Sequence, residues 1–272
     1  IKYLEQHQEV TDILFTGGDP MIMKFKVFEQ YIAPFLEPNN TNIQSIRIGT
    51  KSLAFWPYKF TDDPEADQFL GLFERAVESG INLAFMAHFN HPRELQTPTV
   101  QAAIRRLRGS GVQIRTQSPL LRHINDDADT WAEMWREQVN QNCIPYYLFV
   151  ARDTGAKHYF DVPLVRSWEI FRKAYQQVSG LCRTVRGPSM SATPGKVQIL
   201  GVSQIGDKKV LSLRFLQGRN PDWVARPFFA EYDESATWLN ELKPAFGERF
   251  FYEDELDQMY REKTGAHHSA LN

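Results

Sequence analysis

The 272-residue chain is short of cysteine, of charge of one sign and of long apolar runs, and each shortage removes a class of explanation. Its two cysteines, Cys143 and Cys182, are too few for a disulfide framework. They stand in unrelated contexts, so they encode no cysteine metal site. Lysines and arginines number 31 against 33 aspartates and glutamates, a net charge of −2, and nothing global points to nucleic acid or an anionic membrane surface. No apolar run approaches the ~18 residues of a membrane span. These features predict a cytoplasmic protein with neither nucleic-acid nor membrane partners. With 42% apolar and 24% charged residues, the composition is that of a packed globule. Residues Ile1 to Glu9 lack a basic-then-apolar signal pattern and read as the tail of a helix, which predicts a chain truncated at its N-terminus.

Short β-rich runs recur at Asp12–Thr16, Ser45–Ile48, Asn82–Met86, Val112–Thr116 and Ile144–Val150, their starts 33, 37, 30 and 32 residues apart. Helical faces lie between them. Phe69, Leu70, Phe73, Ala76 and Val77 make one, and Val100, Ala103, Ile104 and Leu107 another, the latter opened by Thr97-Pro98 and closed by Gly109. Trp131, Met134 and Trp135 begin a third, and Trp168, Phe171, Tyr175 and Val178 mark a fourth. Strand and helix alternating every ~30 residues predict βα units on a parallel sheet.

A doubly wound sheet and a barrel both satisfy that count. Each strand, however, ends in a polar or glycine-rich cluster: Gly17-Gly18-Asp19-Pro20, Gly49-Thr50-Lys51, His88 to Pro92, Gln117-Ser118 and Arg152-Asp153. A barrel gathers such ends into one ring, where active sites sit, so residues 1–179 are expected to form a partial barrel. Beyond Ser179-Gly180 the pattern changes. Lys196–Ser203 and Lys208–Phe215 around Ile205-Gly206-Asp207 read as a hairpin, and a helix is expected near Asp254 to Lys263. Residues 180–272 are therefore expected to be a C-terminal extension.

Taken singly, the motifs admit plain readings. Asp19 could cap a turn, while Gly17 and Gly18 let a ligand approach the backbone. His88 and His91 could pair on a metal, but no third ligand stands out, and hydrogen bonding to a ligand or a neighbouring loop is the favoured role. Lys196 follows Pro194-Gly195 and would be solvated in a turn, or could form a Schiff base with an aldehyde cofactor. Arg105, Arg106 and Arg108 read as a solvated helix face.

Together the motifs are more specific. Asp12-Ile-Leu-Phe-Thr-Gly-Gly-Asp-Pro20, Ile46-Arg-Ile-Gly-Thr50, His88-Phe-Asn-His-Pro92, Gln117-Ser-Pro-Leu-Leu-Arg122 with Asn125-Asp126, and Pro145-Tyr-Tyr-Leu-Phe149 follow the order and spacing of the lysine 2,3-aminomutase family. The resemblance runs from about residue 1 to residue 196. It implies a partial (β/α)6 barrel, here without its first strand and cluster loop. It also implies a radical S-adenosylmethionine (SAM) isomerase in which a [4Fe-4S] cluster cleaves SAM and an amino group migrates on a substrate held by pyridoxal 5′-phosphate (PLP). Gly17, Gly18 and Asp19 match the segment that receives the SAM amino group. His88 and Gln117 match other SAM-neighbouring positions, and Lys196 matches the lysine that anchors PLP. The glycine-rich run expected before that lysine is replaced by Ser191-Ala-Thr-Pro194.

The departures concern metal and substrate. The cluster cysteines would lie upstream of Ile1, so the chain alone is expected to be inactive, and the family's zinc cysteines have no counterparts. Two aspartates that grip the substrate's distal ammonium in the lysine enzyme are replaced by Arg152 and Ser189, with Asp153 adjacent. Like charges ~4 Å apart at an effective permittivity near 20 repel by about 4 kcal/mol, whereas a guanidinium suits a carboxylate. The resemblance thus implies an amino-acid substrate with an acidic or neutral side chain in place of free lysine. It also implies an external electron donor such as flavodoxin or ferredoxin, and it admits a homo-oligomer. The residues also admit two rival readings: a relative that modifies another amine or a protein-bound lysine, and a non-catalytic barrel serving as a scaffold.

Overall fold

A computed structural model describes residues 2–37, 42–152 and 155–269. In chain order the elements are α1 (Lys2–Gln6), β1 (Asp12–Phe15), α2 (Phe25–Leu36), β2 (Ser45–Thr50), α3 (Ser52–Phe55), α4 (Ala66–Glu78), β3 (Asn82–His88), α5 (Pro98–Gly109) and β4 (Gln113–Leu120). They continue with α6 (Ala128–Asn140), β5 (Ile144–Val150), α7 (Lys157–Phe160), α8 (Leu164–Gln176), β6 (Arg186–Ala192), β7 (Gly195–Ile205), β8 (Lys208–Gly218), β9 (Pro227–Glu231) and α9 (Glu253–Ser269). The chain is an α/β fold that divides into two compact units. One comprises Ile1–Ser118, Asp129–Tyr146 and Ala174–Val185, and the other Pro119–Ala128, Tyr147–Lys173 and Arg186–Asn272. The expected segments 1–179 and 180–272 each contribute residues to both.

In the first unit β1, β2, β3 and β4 pair in parallel, with Ile13 opposite Ile46, Ile46 opposite Leu83, and Phe85 opposite Ile114. Helices supply the connections, as parallel strands require. α4 buries Ala66, Phe69, Leu72, Phe73 and Ala76, and α5 buries Val100, Ala103, Ile104 and Leu107. The hydroxyl of Thr97 accepts from the Val100 amide at 3.3 Å, capping α5 where the sequence marks its start. An aromatic chain ties helices to strands, Phe28 to Phe73 to Phe85 to Phe60, with ring centroids 5.4–6.1 Å apart. Each of these rings contributes roughly 1.5–3 kcal/mol by burial.

Arg106 corrects one expectation. It is half-buried, donates to the carbonyls of Phe60 and Thr61 at 2.7 and 2.9 Å and pairs with Asp67, whereas Arg105 and Arg108 are exposed. The guanidinium's five donors let one side chain close a loop that a solvated face would leave open.

In the second unit β5 pairs in parallel with β6, and β6 through β9 continue antiparallel. The expected hairpin is β7 and β8, closed at Gly206. Strand alternation divides the sheet into two unlike faces. Val150, Met190, Val197, Ile199, Leu211, Leu213, Phe215 and Phe228 pack into the core with Leu164, Trp223, Phe250 and Tyr252. Residues of the opposite parity (Tyr147, Phe149, Ser189, Ser191, Lys196, Gln198, Ser212 and Arg214) therefore share the other face.

Candidate functional site

In the first unit the chemistry-bearing side chains sit where the parallel strands end. Beyond β1 the chain turns through Gly17 (φ +97°) and Gly18 (φ +58°), left-handed conformations that favour glycine. A Cβ at either would meet no atom within 4 Å, so open space surrounds this stretch. The Gly17 and Gly18 carbonyls accept no hydrogen bond among the described residues.

Asp19 fixes this turn. One carboxylate oxygen accepts from the Met21 amide at 3.0 Å, the other from the Lys51 amide at 2.7 Å, and the Thr50 hydroxyl lies 2.7 and 2.9 Å from the two. The side chain therefore ties the end of β1 to the end of β2. Thr50 and Lys51 were visible in the sequence only as a polar strand end.

His88, at the end of β3, is bonded to Gln117 on β4 at 2.6 Å through Nε2. Burial pushes its pKa below the ordinary value, and the Lys51 charge adds to that, with Asp19 and Glu94 acting in opposition. The bonds from Asp19 to Thr50 and Lys51, and the pairing of Lys51 with Glu94 just beyond β3, bring the ends of β1, β2 and β3 into one neighbourhood. Lys51 Nζ pairs with Glu94 at 3.0 Å, and Glu94 accepts from the Asn90 amide at 2.6 Å. Sequence reasoning missed Glu94, which lies inside the 3-10 turn Pro92–Leu95. His91 caps that turn, accepting from the Arg93 amide at 3.2 Å.

In the second unit Lys196 occupies the second position of β7, opposite Ser191, and is not in a turn. It is half-buried, with Nζ 4.3 Å from the Tyr147 ring centroid and 5.3 Å from that of Phe149. Those two rings stack at 5.0 Å, and Arg186 stands 4.6 Å from the Tyr147 centroid. Gly195 carries the approach: its φ is +153°, and a Cβ there would lie 2.2 Å from the Gln217 carbonyl oxygen. Ser189 is fully buried, its hydroxyl 3.4 Å from the Leu148 carbonyl. Arg152 is exposed and makes no ion pair among the described residues, and Asp153 lies outside them. Tyr147, Phe149 and Arg186 were not singled out from sequence; the strand alternation of the Pro145–Phe149 motif already put both rings on one face.

Among the described residues no group of three histidine, cysteine or acidic side chains could hold a metal ion, and no helix is long and apolar enough to cross a membrane. Cys143 and Cys182 are both buried. Burial pushes the Cys143 thiol up to about 12 and raises that of Cys182. These residues do not fit an iron–sulfur cluster, which takes thiolates.

No family model matches the chain. It is 34% identical over 241 residues to the "Putative L-lysine 2,3-aminomutase" of Aquifex aeolicus (strain VF5), covering 89% of this chain and 62% of that protein. It is 26% identical to the glutamate 2,3-aminomutase of Clostridioides difficile (strain 630), over 82% of this chain and 47% of the relative. To the L-lysine 2,3-aminomutase of Clostridium subterminale it is 27% identical, over 78% and 49%. The chain thus spans about half to three-fifths of the length of these curated relatives. Among solved structures, a radical SAM methyltransferase from Sphaerobacter thermophilus overlaps 71% of this chain and 54% of its own at a TM-score of 0.47 and 17% identity.

Proposed function

This chain is a homologue of the lysine 2,3-aminomutase-like proteins over most of its length, and from that premise we propose that it belongs to a radical SAM isomerase that moves an amino group between adjacent carbons of an amino acid. The observation that carries the reading is the half-buried Lys196 amine against an aromatic wall, at the position where the resemblance expects the PLP anchor. A partial barrel built on the βα units is part of the same proposal.

The residues fit two of the three implied groups. The open glycine carbonyls at Gly17 and Gly18 suit the ammonium of SAM, with Asp19 holding their turn. The amine of Lys196 suits the aldehyde of PLP, and the Tyr147 and Phe149 rings suit a flat heterocycle. Bound there, SAM would supply hydrogen-abstracting power and PLP the carbonyl that carries the migrating nitrogen. The chain's own residues position and exclude. Neutral His88, bonded to Gln117, presents a polar but uncharged wall beside the glycine turn. Tyr147 and Phe149 wall the Lys196 amine on one side and hold it at the aromatic face.

The substrate we propose carries an acidic or neutral side chain. Support comes from Arg152 and Ser189 at the two positions where the lysine enzyme has aspartates, since neither attracts a distal ammonium. The test is competition: the protein containing these residues, reconstituted with iron, sulfide, SAM and PLP, is offered glutamate and lysine together. Preferential formation of the β-amino isomer of glutamate supports the reading, and preferential turnover of lysine contradicts it.

A further inference from the structure

The polar face of the second unit carries a cation that neither the resemblance nor the site described above uses. Arg214 lies on β8 between Leu213 and Phe215, both fully buried in the core, so its side chain belongs to the opposite face, which also carries Lys196 and Gln198. It is half-buried. Its Nε donates to Gln198 Oε1 at 3.0 Å, and Gln198 Nε2 in turn donates to the Gly187 carbonyl at 3.4 Å. One edge of the guanidinium is thereby fixed. Its two terminal nitrogens have no partner, and no carboxylate lies within ion-pair distance, among the described residues. A cation that is half withdrawn from water, oriented by a glutamine and left without a counter-ion is a receptor for an anion.

The register locates that receptor. Gln198 is opposite Arg214 on one side and Ser189 on the other, and Lys196 stands two residues before Gln198 on the same strand face. With strands ~4.8 Å apart and ~3.4 Å per residue, the Lys196 and Arg214 backbones are roughly 8 Å apart. Ser189, where the lysine enzyme has an aspartate, leaves no acid beside Gln198 to neutralise the guanidinium. We propose that Arg214, oriented by Gln198, binds the distal carboxylate of an acidic amino acid held at Lys196. This rests on the function proposed above and deepens it by naming the residue that selects the substrate. The planar fork of arginine matches a carboxylate through two parallel hydrogen bonds, which a lysine at the same position does not reproduce.

The test is calorimetric binding of glutarate, a diacid that carries no amino group, to the 272-residue protein. Inorganic phosphate is titrated in a parallel arm. Glutarate should bind, Arg214→Gln should weaken it about tenfold or more, and Arg214→Lys should recover only part of the loss. Gln198→Leu, which removes the orienting acceptor, should weaken it several-fold and serves as the deciding variant if Arg214→Gln does not fold. Unchanged glutarate affinity in the folded variants overturns the proposal. Phosphate binding tighter than glutarate, with the same dependence on Arg214, overturns it too, because the subsite would then take a phosphate. Borohydride trapping of PLP on Lys196 is scored separately. Trapping that is lost while glutarate still depends on Arg214 rejects the isomerase reading and keeps the anion site; trapping that persists while glutarate ignores Arg214 does the reverse.

Discussion

The side-chain amide of Gln117 lies 2.6 Å from Nε2 of His88, a bond that joins the end of β3 to β4. Burial and Lys51 both disfavour the charged ring, and its pKa lies below the ordinary 6.5. In the unfolded chain the histidine binds its proton at higher pH than in the fold. The stability that this neutral pair supplies is complete above about pH 6.5 and is lost as the pH falls below that value. Titration of the His88 ring by NMR should show it neutral at pH 7, and Gln117→Glu should raise its pKa by placing a carboxylate beside it. An unmoved midpoint in that variant would refute the pairing.

Asp19 is expected to matter for stability before it matters for binding. Asp19→Ala strands the Lys51 and Met21 amides, while the Thr50 hydroxyl keeps Ser52 Oγ at 2.7 Å, and should destabilise the first unit by about 1–3 kcal/mol in urea unfolding. The same variant should bind SAM more weakly, because the glycine turn loses its tie to β2. A variant as stable as the parent would mean that the four contacts contribute nothing net.

Much of this was legible in advance, for an identifiable reason. Strands β1, β2, β3 and β5 begin where their apolar runs begin, and α5 buries the residues its periodicity marks, because burial on a parallel sheet selects continuous apolar strands. β6 was not legible. Arg186-Gly187-Pro188-Ser189 has neither alternation nor β-branched residues, and only pairing with β5 and β7 makes it a strand. Arg214 was hidden inside a correctly expected hairpin, since its face and its Gln198 partner emerge only from the register. Arg106 misled because a basic run on a helix looks the same whether one member reaches a loop carbonyl or not.

Among the described glycines, Gly195 leaves least room for a side chain. Gly195→Ala puts a methyl group 2.2 Å from the Gln217 carbonyl oxygen and forces an L side chain into a φ of +153°. Destabilisation of at least ~1–3 kcal/mol is expected, with loss of PLP trapping on the adjacent Lys196. Wild-type trapping in a stably folded Gly195→Ala protein would show that the close approach does not position the lysine.

Both thiols should be inert in the native protein. With the Cys143 thiol pushed up to about 12 and Cys182 raised as well, iodoacetamide should label neither at pH 7.5 until denaturant is added. Incubation of this chain with iron and sulfide should leave no cluster absorbance. Rapid native labelling, or an assembled cluster, would contradict the burial on which this rests.

On the proposed reading Lys196 is the amine that anchors PLP, and reductive trapping decides whether it is. The protein is incubated with PLP, reduced with borohydride, digested and mapped by mass spectrometry. The expected result is a phosphopyridoxyl group on Lys196, together with a visible absorbance before reduction that Lys196→Ala abolishes. A label on another lysine, or a chromophore that survives in Lys196→Ala, would contradict it.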